Sequence, residues 1–289
     1  MRKPIGIFDS GIGGLTVVKQ LMKLLPDEQL IYFGDTARIP YGTKSKRLIE
    51  QYALEDAAFL MQFDIKLVVV ACNTASSLAM DVLRRNLDIP VVGVVEPGAV
   101  SAAGLTKNNT VGVIGTTATI NSGSYASEIA KLDRNIRVLG QPCPLLVPLV
   151  EEGWLDDEVT VLTMRKYFKG LMDNHIDTLI LGCTHYPLLE ETIQRVVGDK
   201  VQLIDSGKET AKVVQQLLAE KGLLNISGEK TGEDRFFVSD IPAKFEEIGS
   251  RFLGRPLTNV ERVDFDQFLV QSGFPANMHK AENNLANMR

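Results

Sequence analysis

LVVVACNTASS (67–77) runs from an apolar stretch through Cys72 into a polar segment suited to starting a helix. LILGCTHYPLLEE (179–191) does the same through Cys183, with His185 two residues further on. Runs this short and apolar at successive positions read as strands buried on both faces. A strand that passes directly into a helix is half of a βαβ unit, so the two stretches predict an α/β fold. They also put a thiol at the carboxyl end of each strand, where open parallel sheets bind their ligands.

Further runs of this kind stand at PIGIF (4–8), LIYFG (30–34), PVVGVV (90–95), TVGVIG (110–115), IRVLG (136–140), VQLID (201–205), FFVSD (236–240) and LTNVERV (257–263). Between them the spacing turns helical. Leu15, Val18, Met22 and Leu25 share one face of 13–25, which Pro26 ends. Leu189, Ile193 and Val197 share one face of 187–197, where Pro187 suits a first turn. IGIFDSG (5–11) is echoed by QLIDSG (202–207), and the Cys72 segment by the Cys183 segment. The echoes predict two similar domains facing each other, with Asp9, Cys72 and Cys183 at strand ends beside the cleft between them.

A chain of 289 residues, 45% hydrophobic, has room for two such cores. The net charge of −5, with no basic cluster, argues against nucleic acid as a partner. The start, MRKPIGIFDSG, has the look of a short signal, but its apolar part breaks at Asp9, and with three cysteines and no C-x-x-C this predicts a reducing cytoplasm. No apolar run is long enough to span a membrane.

Cys72 admits two readings. A thiol at a helix start, capped by Asn73 or Thr74, would feel the helix dipole, and its pKa would fall from about 8.5 towards neutrality. A free cysteine is also commonly a small buried hydrophobe. Cys183 has the same context with His185 beside it, while Cys143, between two prolines, reads as structural. DSGIGG (9–14) is a glycine-rich strand–helix turn whose amides suit an anion, although it lacks the lysine of a P-loop. YGTKS (41–45) and TTATINSG (116–123) are polar loops after strands that suit a small polar ligand. Asp9, Cys72, Cys183 and His185 are permissible zinc ligands by type, but the short-spaced pairs of zinc sites are missing, so no metal is expected. A Cys–His–Asp hydrolase would leave one thiol idle. Two opposed thiols use both: one removes a proton from a carbon acid, the other returns one to the opposite face, and the product is the mirror image.

FDSGIGGLTV (8–17), YFGDTARIPYG (32–42), ACNTAS (71–76), PLVEEGW (148–154), LGCTHYPLL (181–189), IDSG (204–207) and FFVSD (236–240) come in this order within residues 3–265. Together they resemble the bacterial glutamate racemases of the aspartate/glutamate racemase superfamily. The resemblance implies two pseudo-symmetric α/β domains with mostly parallel central sheets and the active site in the interdomain cleft. Residues 1–97 with 208–265 would form the first domain and 98–207 the second, leaving 266–289 as a tail of unknown role. It implies racemisation of L- and D-glutamate without a cofactor, in the cytoplasm, supplying D-glutamate for peptidoglycan, often by a homodimer. No pyridoxal, flavin or nicotinamide is expected. By the family pattern Cys72 would deprotonate D-glutamate with help from Asp9, and Cys183 would deprotonate L-glutamate with help from His185. Asp9, Ser10, Tyr41, Gly42, Asn73, Thr74, Thr184 and His185 would line the substrate pocket. Glu151 resembles a further acid near the site, with Glu152 as the alternative. Rival readings are a racemase of aspartate or another small acid, a two-domain protein that binds an amino acid without chemistry, and a regulatory contact through the tail.

Overall fold

The computed structural model describes residues 3–230 and 232–272. Among these, ten strands form two sheets in which all neighbours run parallel. The larger holds β1 (Ile5–Asp9), β2 (Leu30–Gly34), β3 (Leu67–Val70) and β4 (Val91–Gly93), joined by β9 (Arg235–Val238) and β10 (Val260–Arg262). The smaller holds β5 (Thr110–Gly115), β6 (Arg137–Pro142), β7 (Thr178–Gly182) and β8 (Gln202–Asp205). The orders are β10-β9-β2-β1-β3-β4 and β6-β5-β7-β8.

Without β9 and β10 the larger sheet reads β2-β1-β3-β4, the order of the smaller one. The fold is therefore two α/β domains of one topology, with β1 matching β5 and β3 matching β7. Cys72 and Cys183 follow equivalent strands. The DSG echo is different, because its copies follow β1 and β8, which are not equivalent. It has a local cause: Asp9 Oδ2 accepts from the Gly11 amide at 3.0 Å, and Asp205 Oδ1 accepts from the Gly207 and Lys208 amides at 2.8 and 3.2 Å. Each is an aspartate satisfying the amides of the turn that follows it, so the repeat reflects turn chemistry and not duplication.

The all-apolar runs are the central strands: β1, β2, β3 and β7 are buried along their whole length. β6 and β8 stand at sheet edges and are partly exposed. PVVGVV is strand only to Gly93, since Val95 begins the helix Val95–Leu105. The Ser76 hydroxyl accepts from the Val94 and Val95 amides at 3.0 and 3.3 Å, which satisfies the helix start, and Pro97 sits in the first turn where its missing N–H costs nothing. That helix carries the chain to the second sheet. The predicted tail is described only to residue 272, its remainder lying outside the described residues. Its described part lies in the helix Phe265–Ser272, where Phe268 meets Phe59 edge-on at 5.6 Å between ring centroids and, just before the tail, Phe265 stacks on Phe33 of β2 at 4.9 Å. That segment packs on the first sheet. Among the described residues no helix is long and apolar enough to cross a membrane.

Candidate active site

In each sheet the topology reverses direction beside the first strand, between β1 and β3 and between β5 and β7. The carboxyl ends of these four strands open onto one cleft of about 550 Å³. The first domain lines it with Ser10, Gly11, Tyr41, Gly42, Cys72, Asn73 and Thr74. The second contributes Thr116, Thr117, Glu151, Cys183, Thr184 and His185. Asp9 lies just behind the lining and is 1% exposed.

Cys72 leads into the helix Asn73–Leu78 as its N-cap residue, and no side chain caps that helix. The capping expected of Asn73 and Thr74 is absent because both side chains reach across to the other domain. Asn73 Nδ2 donates to Tyr125 Oη at 2.8 Å, and Thr74 Oγ1 lies 3.0 Å from Thr116 Oγ1 and 3.3 Å from Thr119 Oγ1. The Cys72 Sγ stands 3.6 Å from Ser10 Oγ. Its pKa does not fall: burial and the nearby Asp9 carboxylate push it up to about 12, against the weaker pull of the Ala75 amide and Ser10. A helix of six residues is too short to outweigh that loss of water.

Asp9 is also raised above the usual carboxylate range by burial, although the Gly14, Gly11 and Ser10 amides and the His185 charge hold it back. Its Oδ1 has no hydrogen-bond partner among the described residues. The DSGIGG amides thus serve an anion supplied by the chain itself, Asp9. The glycines serve close approach: a Cβ on Gly13 would come within 2.1 Å of Thr184 Oγ1 and 2.6 Å of His185 Nδ1.

Around Cys183 the chain forms a 3-10 turn, Tyr186–Leu189, before the helix Glu190–Val197. The Cys183 Sγ lies 3.9 Å from His185 Nδ1, and His185 Nε2 lies 2.9 Å from Glu151 Oε1. Burial disfavours the imidazolium, but hydrogen bonds and charge from Cys183 and Glu151 win and raise His185 to about 10. Glu151 in turn is lowered, first by its hydrogen bond to His185. Glu151, not Glu152, makes this contact and lines the cleft. Arg251, on the helix Pro242–Leu253, fixes the Glu151 backbone by donating to its carbonyl at 3.0 Å.

Tyr41 lines the cleft, but its hydroxyl is occupied elsewhere, 2.5 Å from Asp35 Oδ2 and 3.1 Å from Asp56 Oδ2. Arg38 binds Asp35, Glu55 and Asp56 together and lies over the rings of Tyr52 and Phe265. This ionic cluster ties the 35–43 loop to the helix Lys46–Met61, so Tyr41 offers the cleft its ring and backbone. Gly42 lets that loop touch the second domain, since a Cβ there would meet Thr116 Cβ at 2.8 Å.

Cys143 is fully buried away from the cleft lining, and its Sγ donates to the Gln141 carbonyl at 3.4 Å. Asp240, Ile241, Lys244, Phe245 and Ile248 form a wall that the sequence reading did not place. They follow β9, and only the chain's return to the first sheet brings them there. Among the described residues no three His, Cys, Asp or Glu side chains cluster as a metal site would.

Residues 13–214 match the Asp/Glu/Hydantoin racemase family. A glutamate racemase of Geobacter metallireducens is 53% identical over 264 residues, covering 91% of this chain and 97% of that protein. The solved glutamate racemase of Francisella tularensis, in complex with D-glutamate, superposes with a TM-score of 0.85 at 44% identity, covering 92% of this chain and 99% of the other. That of Bacillus anthracis superposes with a TM-score of 0.87 at 40% identity, covering 90% and 97%.

Proposed function

The chain belongs to the Asp/Glu/Hydantoin racemase family and is a racemase enzyme, and from that premise we propose that it interconverts L- and D-glutamate with Cys72 and Cys183 as its two acid–base groups. The observation that carries this reading is the pair of thiols at equivalent strand ends on one cleft. In one direction the Cys72 thiolate takes the α-proton of D-glutamate, and the Cys183 S–H gives its proton to the opposite face of the carbanion. L-glutamate leaves, with the proton now on Cys72. The reverse reaction exchanges the roles.

An amino-acid α-proton is a poor acid, so the base must be strong and the site dry. A thiol pushed up to about 12 is rarely ionised but strongly basic when it is. Burial and, after it, the Asp9 charge hold Cys72 protonated, and the ammonium group of an arriving substrate offsets the second of these. His185, kept cationic by Glu151, stands beside Cys183 as its charge partner. Ser10, Asn73, Thr74, Thr184 and the Tyr41–Gly42 edge bind the carboxylates with hydroxyls and amides. The reaction calls for no cofactor. In the cell we assign the enzyme to the cytoplasm, to the supply of D-glutamate for peptidoglycan, and to a homodimer. We assign residues 1–97 with 208–265 to the first domain and 98–207 to the second.

The test is circular dichroism of each enantiomer of glutamate and aspartate incubated with the purified chain. Decay of both glutamate signals to zero, with aspartate unchanged, is the expected result. Racemised aspartate with intact glutamate would move the assignment to the aspartate class. Intact signals for all four, together with no α-deuterium uptake from heavy water, would make the chain a binder and sink the reading.

A further inference from the structure

Tyr125 stands behind the cleft, 3% exposed and outside its lining, yet it touches the segments of both thiols. Asn73 Nδ2 donates to its Oη at 2.8 Å, the Oη lies 2.9 Å from Ser206 Oγ, and Ser206 Oγ donates to the Leu181 carbonyl at 3.4 Å. A phenol has one proton. Since it accepts from Asn73, it gives that proton to Ser206, which gives its own to Leu181. The chain of hydrogen bonds starts one residue after Cys72 and ends two residues before Cys183. The ring supplies the steric half of the link. A Cβ on Gly182, the residue before Cys183, would sit 2.6 Å from the Ile114 carbonyl oxygen and 3.2 Å from Tyr125 Cε2, so the ring packs close against that strand. Next to it, Ser124 Oγ, at the start of the helix Ser124–Leu132 that carries Tyr125, donates to Ser77 Oγ at 2.9 Å and ties that helix to the first domain.

We propose that Tyr125 is a positioning residue that sets the separation of the two thiol loops, an inference that rests on the two-thiol reading above. Its hydroxyl holds the Cys72 loop and its ring stops the approach of the Cys183 strand. A carbon acid passed between two thiols needs both within reach in the transition state, so a change in that separation costs the transition state more than the bound substrate. Loss of the strut therefore acts more on kcat than on KM.

Tyr125→Phe keeps the ring and cuts the hydrogen-bonded link. The expected result is a fall of about tenfold in kcat in both directions, with KM held within about twofold, the size of one net hydrogen bond expressed as rate. Ser206→Ala cuts the same chain one step later and should give the same split with a smaller fall. It decides the matter if Tyr125→Phe does not fold. Rates are measured well below the melting transition, with unfolding followed on the same samples. A lowered melting temperature with unchanged kcat, or a raised KM with unchanged kcat, overturns the proposal. Cys72→Ser and Cys183→Ser, assayed alongside, separate the two possible failures. If either keeps full activity, the two-thiol reading falls. If both lose it while the Tyr125 and Ser206 variants do not, only the strut falls.

Discussion

Cys72 and Cys183 end equivalent strands of one repeated topology, but their surroundings have opposite sign. Cys72 is raised to about 12 first by burial and then by Asp9, a buried carboxylate that works against a second negative charge. Cys183 lies 3.9 Å from His185, an imidazole whose protonated form it helps to stabilise together with Glu151. The scaffold repeats and the wiring does not. Enantiomers have equal energies, but the protein between them is chiral and the two faces of the α-carbon meet different groups. Each half must therefore solve its own proton problem with whatever its loops supply.

The largest effect should come from removing the thiols. Cys72→Ser and Cys183→Ser should each lower racemisation by about a thousandfold, because serine keeps the shape without the acidity. Full activity in one variant, measured by polarimetry in both directions, would reduce the pair to a single working thiol and break the comparison. A smaller effect, about tenfold to a hundredfold, is expected for Asp9→Asn and His185→Asn. Equilibrium between enantiomers makes kcat/KM fall equally in both directions, so the difference between the halves must show in kcat and KM separately. The two variants should skew these in opposite senses. Complete kinetics with D- and L-glutamate test this, and matching skews would mean that the two helpers are interchangeable.

The smallest effect concerns Glu151. His185, raised from 6.5 to about 10, adds stability that is complete below about pH 6.5 and is lost as pH rises through about 10. Glu151→Gln removes one cause of the shift and narrows that window. The melting temperature of the variant should fall less steeply between pH 7 and 10 than that of the parent, from a lower value at neutral pH. Parallel melting curves would show that Glu151 does not hold the imidazolium.

Much of this was legible because central parallel strands carry a strong signal: LIYFG, TVGVIG and the LILG that precedes Cys183 are strand from end to end. The strand-end position of both thiols followed from the same runs. The signs of the site were harder to read. A helix start predicts an acidified thiol, but whether a dipole or burial prevails at Cys72 depends on atoms more than sixty residues away in sequence, Asp9 and Ser10 among them. Asn73 and Thr74 carry the composition of caps, and only the opposing domain diverts them. Lys244 and Phe245 had no local signal at all, since a helix wall is apolar or charged wherever it faces. The DSG repeat pointed to two similar domains, which are there, but its copies follow strands that are not equivalent, because a good turn is reused for its own sake.

The order of strands in the larger sheet also bears on how the protein is made. β2 pairs with β9, placing Ile31 opposite Arg235, whereas β5 to β8 find all their partners between residues 110 and 205. A chain emerging from the ribosome can close its second sheet while the first still lacks an edge. Long-range pairing of this kind is the slow step in assembling a sheet. The half that is translated first is thus the half completed last, and Cys72 waits for its finished surroundings until residue 262 has emerged.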